Sequence, residues 1–142
     1  MTIAADIMNA KPVWIELSQT LQDAQDLMRR RKTDGLLVRD ATGRAVGVFT
    51  RLDLVAYQQK RMEQRLLGQI AASEGRSVIH RFPSQERIER WISPVIVSVP
   101  EDASLQTVAR QMLRHRVHRI FVTSRQNDIY KGVIAMTDIL KS

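Results

Sequence analysis

The chain contains no cysteine. That excludes disulfides, thiolate zinc sites, iron–sulfur clusters and cysteine nucleophiles, and it fits a reducing cytosol. Aromatic residues make up only 5% of the sequence, too few for a platform that stacks the bases of a single strand. No stretch approaches the roughly 18 apolar residues that a membrane span needs. The opening Met1-Thr-Ile-Ala-Ala-Asp6 has neither a basic n-region nor an apolar h-region, so no signal peptide is expected and the chain reads as soluble and cytoplasmic. Enzyme signatures are missing too: there is no Gly-x-x-x-x-Gly-Lys loop, Gly-x-Gly-x-x-Gly, His-Glu-x-x-His or Gly-x-Ser-x-Gly. No Ser, His and acid can be grouped, so catalysis is not expected. His115 and His118 fall across a helix-to-strand boundary with no acid near them in sequence, so no metal is expected either. Acidic charge is also in short supply. Fifteen Asp and Glu face 22 Lys and Arg, for a net charge of +7 and a pI near 10.5. A balance that basic points to a polyanion: nucleic acid, an acidic membrane face or a phosphorylated small molecule.

What is present is a core and a repeat. Apolar residues are 44% of 142, enough to fold one compact domain or two very small ones. Leu21 and Leu105 stand 84 residues apart, and at that offset Met28 matches Met112, Arg30 matches Arg114 and Val38 matches Val122. One inserted residue later, Gly47-Val48-Phe49 matches Gly132-Val133-Ile134 at an offset of 85, and Asp53-Leu54 matches Asp138-Ile139. The insertion falls where Asp40, Thr42 and Gly43 mark a turn, a place that absorbs extra residues at little cost.

Each copy reads as β-α-β-β-α. An extended piece comes first, Val13-Trp14-Ile15 or Val95-Ile96-Val97. It ends at Leu17-Ser18-Gln19 in one copy and at Pro100-Glu101-Asp102 in the other. A helix follows, capped by Thr20 or Ser104. Its apolar face is Leu21, Ala24, Leu27 and Met28 in one copy and Leu105, Val108, Met112 and Leu113 in the other, at helical steps. Leu36-Leu37-Val38 pairs with Val46 to Phe49, and Ile120-Phe121-Val122 with Val133-Ile134, as hairpins. Second helices open at Arg51 and Met136. The expected class is therefore α/β with small mixed sheets. Between the copies, Leu52, Val55, Met62, Leu66 and Ile70 form a stripe on one helix that runs to about Ser73 and breaks near Gly75. The stripe is expected to be buried against its own copy or against a dimer partner. Pro83 marks a turn, His80 a surface position, and a short helix from Ser84 to Trp91 plays the part that Ile3 to Asn9 plays for the first copy. Trp14 and Trp91 are expected as packing anchors. The division that results is 1–60, a helical connection 61–83, and 84–142. The second copy stops just after its last helix begins, as a piece of a longer protein or a minimal stand-alone module would.

The repeat resembles a tandem pair of cystathionine β-synthase (CBS) domains. The most specific resemblance is the strand-to-helix junction Gly47-Val48-Phe49-Thr50-Arg51-Leu52-Asp53 and its counterpart Gly132-Val133-Ile134-Ala135-Met136-Thr137-Asp138. The family pattern there is Gly, two apolar residues, Ser or Thr, two free positions, then Asp. The resemblance implies two repeats packed through their sheets about a pseudo-twofold axis. It further implies clefts for AMP, ADP, ATP or S-adenosylmethionine, association into a homodimer, and regulation of a partner domain or protein in place of catalysis.

The junction has a chemistry of its own. Thr50 ends a strand and opens a helix, whose first N–H groups and dipole suit a phosphate. Asp53, one turn on, can accept from two ribose hydroxyls. The same spacing also fits a capping box, in which an acid at N3 reaches back to the N-cap. At the second junction Ala135 removes the hydroxyl, Asp138 remains and Thr137 is a neighbouring substitute, so unequal clefts are expected. The resemblance sets Thr50 and Asp53 against Ser93 to Val97 and the stretch near His118. It sets Asp138 against Lys11 to Val13 and Asp34 to Leu36. Base recognition then falls to backbone and to apolar side chains such as Val13 and Val95. Between Ala103 and Asn127 lie Arg110, Arg114, Arg116, Arg119 and Arg125 without an acid. His118-Arg119 resembles a pair that lies near ligand phosphates in some members, whereas the other arginines also suit a solvated face. Arg29-Arg30-Arg31-Lys32 ends a helix, where cations suit the dipole. The expected function is a regulatory sensor of an adenosine-containing ligand, with no cofactor, no membrane and no nucleic acid. The alternatives are a nucleic-acid-binding protein and a dimerising scaffold with vestigial clefts.

Overall fold

The computed structural model describes residues 1–9, 11–75 and 86–141; the expectations for His80, Pro83 and Ser84 lie outside them. The elements in order are α1 (Ala4–Ile7), β1 (Trp14–Glu16), α2 (Leu21–Arg31), β2 (Gly35–Arg39), β3 (Ala45–Thr50), α3 (Arg51–Ser73), a 3-10 turn (Ile88–Arg90), β4 (Ser98–Pro100), α4 (Leu105–His115), β5 (Arg119–Thr123), β6 (Tyr130–Ala135) and α5 (Met136–Lys141). The α/β class and the doubled β-α-β-β-α order stand. The sheets are β1-β2-β3 and β4-β5-β6.

The chain forms two compact units. One is Ile15–Ser93; the other joins Met1–Trp14 to Pro94–Ser142. In the unit Ile15–Ser93, β2 and β3 pair antiparallel with a register shift at Val38/Arg39. Its buried apolar residues include Ile15, Leu21, Ala24, Met28, Leu36, Val38, Phe49 and Ile88. Ile88 comes from the segment ahead of the second copy. Thr20 pairs with Arg87, Leu21 N–H donates to Glu86 O at 2.8 Å and Ile88 N–H to Gln19 O at 3.0 Å.

The other unit mirrors this. There β4 pairs parallel with β5, and β5 pairs antiparallel with β6, with a shift at Val122/Thr123. The core is Ala4, Val99, Ala103, Val108, Met112, Ile120, Val122 and Ile134. Ala4 comes from the leader of the first copy: Ala4 N–H donates to Ala103 O at 2.8 Å and Asn9 N–H to Val133 O at 2.8 Å. Each leader thus completes the repeat that does not follow it.

The hairpin loops explain the change of offset, because 40–44 is one residue shorter than 124–129. In the shorter loop Asp40 Oδ1 accepts from the N–H groups of Thr42 at 2.9 Å and Arg44 at 3.0 Å, and Gly43 takes a φ of +86°. Three expectations shift. The first strand of the second copy is Ser98–Pro100, not Val95 to Val97. Val99 is its single inward residue, whereas Val95 is exposed. Leu113, expected on the inner face of α4, is 75% exposed. The stripe on α3 is not covered by its own copy: Leu52, Val55, Met62, Leu66 and Ile70 are all exposed. Gly68 and Ala71 are the buried residues of that helix. The two tryptophans do pack. Trp14 meets Tyr130 edge-on at 5.8 Å and Trp91 meets Tyr57 edge-on at 5.4 Å.

Candidate functional site

Within the unit Ile15–Ser93, the junction is built by three strands of chain. Thr50 ends β3 opposite Gly35 of β2. Ser93 lies beside Val48, with N–H to O bonds of 2.9 Å in both directions. Gly47 allows that approach. A methyl group there would collide with the Ser93 carbonyl oxygen and touch Ile92 Cδ1 at 3.2 Å. The glycine of the junction is therefore required by a neighbouring backbone, not by its own dihedral angles.

Asp53 reaches back across the first turn of α3. Its Oδ2 accepts the Thr50 N–H at 2.7 Å and the Thr50 hydroxyl at 3.3 Å. The Arg51 N–H donates to the Asp34 carbonyl at 3.0 Å. The expectation that the first N–H groups of this helix stand open is thus corrected in part, because two are already used by the fold. The cap uses Oδ2 of this carboxylate, and among the described residues no hydrogen bond reaches Oδ1. Burial pushes the Asp53 carboxyl up from its ordinary value, and the two bonds from Thr50 oppose that only partly. Burial of this kind makes the charged form of a carboxyl less favourable than it is in water.

Within the other unit the second junction has the same frame and different side chains. Ala135 ends β6 opposite Arg119, so Arg119 stands where Gly35 stands in the first copy. Asn9 lies beside Val133 as Ser93 lies beside Val48. Asp138 Oδ2 accepts the Ala135 N–H at 2.7 Å and Asn9 Nδ2 at 2.7 Å. The Met136 N–H donates to the His118 carbonyl at 2.8 Å. Burial lowers the Arg119 guanidinium from its ordinary value, and the charge of Asp138 works against that.

The other candidates occupy varied settings. Val13 is half-buried, and Val95, His118 and Thr137 are exposed. Of the five arginines, Arg119 alone is half-buried. Arg110 and Arg114 lie exposed on α4, Arg116 follows its last turn, and Arg125 is 3.5 Å from Asp102. Asn9 was missed by the sequence reading, although its position 84 residues before Ser93 was a usable signal. A shallow depression of about 190 Å³ lined by Glu16, Leu17, Ser18, Ala41, Arg87 and Glu89 includes none of the junction residues. No group of three or more potential metal ligands occurs among the described residues. No helix among them is long and apolar enough to cross a membrane.

Comparison with known proteins gives the class. The CBS domain model matches residues 4–60 and 88–142. The chain belongs to the CBS domain family and carries two copies of the domain. Among solved structures it is similar to a CBS-domain-containing protein from Agrobacterium tumefaciens, at 21% identity and a TM-score of 0.71 over 99% of this chain and 92% of that one. A CBS domain pair in complex with 5'-methylthioadenosine and S-adenosyl-L-methionine matches at 17% identity and a TM-score of 0.72, over 99% and 94%. A CBS domain protein from Pyrobaculum aerophilum complexed with AMP matches at 13% identity and a TM-score of 0.70, over 96% and 89%. No curated protein matches the chain.

Proposed function

We propose that this chain is a non-catalytic regulatory module that senses an adenosine-containing ligand, an adenine nucleotide or S-adenosylmethionine, at the Thr50–Asp53 junction. The observation that carries the reading is Asp53. Its carboxyl is half-buried, disfavoured as an anion, and held by Thr50 through one oxygen only. Two ribose hydroxyls donating to it would supply the hydrogen bonds that its surroundings withhold. Membership of the CBS family and the complexes of its structural relatives support the ligand class. Binding regulates a partner domain or protein, in the cytoplasm, if the ligand favours one conformation over another. Calorimetry and thermal shift with AMP, ADP, ATP and S-adenosylmethionine test this. Uptake of at least one is expected, and Asp53→Ala should weaken it tenfold or more without unfolding the protein. No response to any of them at millimolar concentration overturns the reading.

The same module is proposed to be a homodimer through α3. Leu52 and Met62 are each 72% exposed. With Val55, Leu66 and Ile70 they recur at helical steps over about 27 Å of helix axis, at 1.5 Å per residue. A matching helix from a second copy covers such a stripe along its length. Leu66→Glu should give monomers in sedimentation where the parent chain gives dimers. A monomeric parent chain sinks this assignment.

A further inference from the structure

The two equivalent aspartates are not equally available. Both accept the N–H of the residue that opens their helix, at 2.7 Å. The second donor differs. On Asp53 it is the Thr50 hydroxyl at 3.3 Å, a long bond from a group that can rotate away. On Asp138 it is the Asn9 amide at 2.7 Å, and Asn9 is held in place by its own N–H donating to Val133 O at 2.8 Å. A Cβ at Gly132 would lie 3.0 Å from Asn9 O, so the leader lies where a side chain on β6 would crowd it. Arg119 adds a favourable positive charge near Asp138 where the first copy has Gly35 and no side chain at all.

We propose that these aspartates do different work: Asp138, with Asn9, latches the N-terminal leader onto β6, and Asp53 alone is left to the ligand. The second part rests on the sensing function proposed above; the latch does not. The chemistry favours the division. The Asn9–Asp138 bond is exposed to solvent, but its acceptor is charged, which makes it stronger than a bond between two neutral groups. It joins residues 129 positions apart and so secures a segment that has only one helical turn of its own. Both aspartates are engaged through Oδ2, so a ligand on Asp138 would share its carboxylate with the leader's amide, whereas on Asp53 it competes with a hydroxyl that can turn away.

Hydrogen exchange and calorimetry on the full chain test both parts. Asn9→Ala should speed exchange of the Ala4, Met8 and Asn9 amides at least tenfold, while amides of β2 and β3 keep their rates. With whichever of AMP, ADP, ATP and S-adenosylmethionine binds as the probe, the unaltered chain should take up one molecule. Asn9→Ala and Asp138→Asn should leave its affinity within threefold, whereas Asp53→Asn lowers it. Asp138→Asn keeps the shape of the side chain and serves if Asn9→Ala does not fold. Unchanged exchange in the leader overturns the latch. Two molecules per chain, or an affinity loss in Asp138→Asn equal to that in Asp53→Asn, overturns the division of labour. If none of AMP, ADP, ATP and S-adenosylmethionine binds, the sensing function falls and the latch is judged on exchange alone.

Discussion

At Gly47 a side chain would meet the Ser93 carbonyl, which is fixed backbone; at Gly132 it would meet the flexible end of Met8 as well as Asn9 O. Gly47→Ala should therefore cost about 1–3 kcal/mol, the range for overfilling a packed site, and Gly132→Ala less, as chemical denaturation of the two variants would show. The junction's Gly and Asp were legible in sequence because spacing and repetition mark them, and Thr50 because it fits the cap spacing to Asp53. The reason for the glycine was not, because Ser93 is 46 positions away in the chain and its approach is a product of folding. Asp53 gives a pH prediction. Its carboxyl is raised above 3.8 in the fold by burial, so the native state binds that proton more tightly than the unfolded chain does. Its contribution to stability is fully present below 3.8 and is lost as the pH rises through the native value. Asp53→Asn should accordingly raise Tm slightly at pH 7, with the gain vanishing near pH 3.8. Ligand affinity of the unaltered chain should fall as the pH drops through the same window, because the neutral acid is the poorer acceptor.

The helices α2 and α4 show how far pattern reading carries. Thr20 Oγ1 accepts the Asp23 N–H at 3.1 Å and Ser104 Oγ accepts the Thr107 N–H at 3.1 Å, as the cap residues had indicated. Ser104→Ala should cost about 1 kcal/mol, measured by urea unfolding. The far ends hold what sequence did not show. Lys32 and Arg116, directly after the last turns, take φ values of +52° and +53°, a conformation that favours glycine. Either residue replaced by Gly should raise stability by about 0.5–1 kcal/mol, since the side chain's cost in that region exceeds the backbone entropy that glycine adds. Sequence suggests cations against a helix dipole for Arg29 to Lys32, but it carries no sign of the left-handed turn at Lys32 or Arg116. The strand β4 was misplaced for a related reason. Val95-Ile96-Val97 is the more apolar run, yet pairing with Phe121 to Thr123 selects Ser98 to Pro100, and a strand with a single inward residue leaves almost no periodic signal.

For the whole molecule, the repeat was readable and its partition into units was not. Self-similarity lies in the order of residues, whereas the units are set by which leader reaches which sheet: Ala4 fills the core around Val108 and Ile134, and Ile88 is buried in the unit Ile15–Ser93. Removing residues 1–9 should therefore destabilise the unit that holds residues 94–142. The cost should exceed about 3 kcal/mol, because the core would lose Ala4 and the apolar side chains of Ile7 and Met8 that pack on it. Exchange in residues 15–93 should change far less, and peptide-level hydrogen exchange reads both. The crossed leaders also impose an order on synthesis. Residues 15–93 are contiguous, so that unit can close while the rest is still being made. The leader is made before residues 15–93, yet its strand partner β6 comes more than 120 residues later. Until then Ala4 and Ile7 have nothing to pack on. The second unit is therefore the slower to form, and a leader made before residues 15–93 finds its place after them.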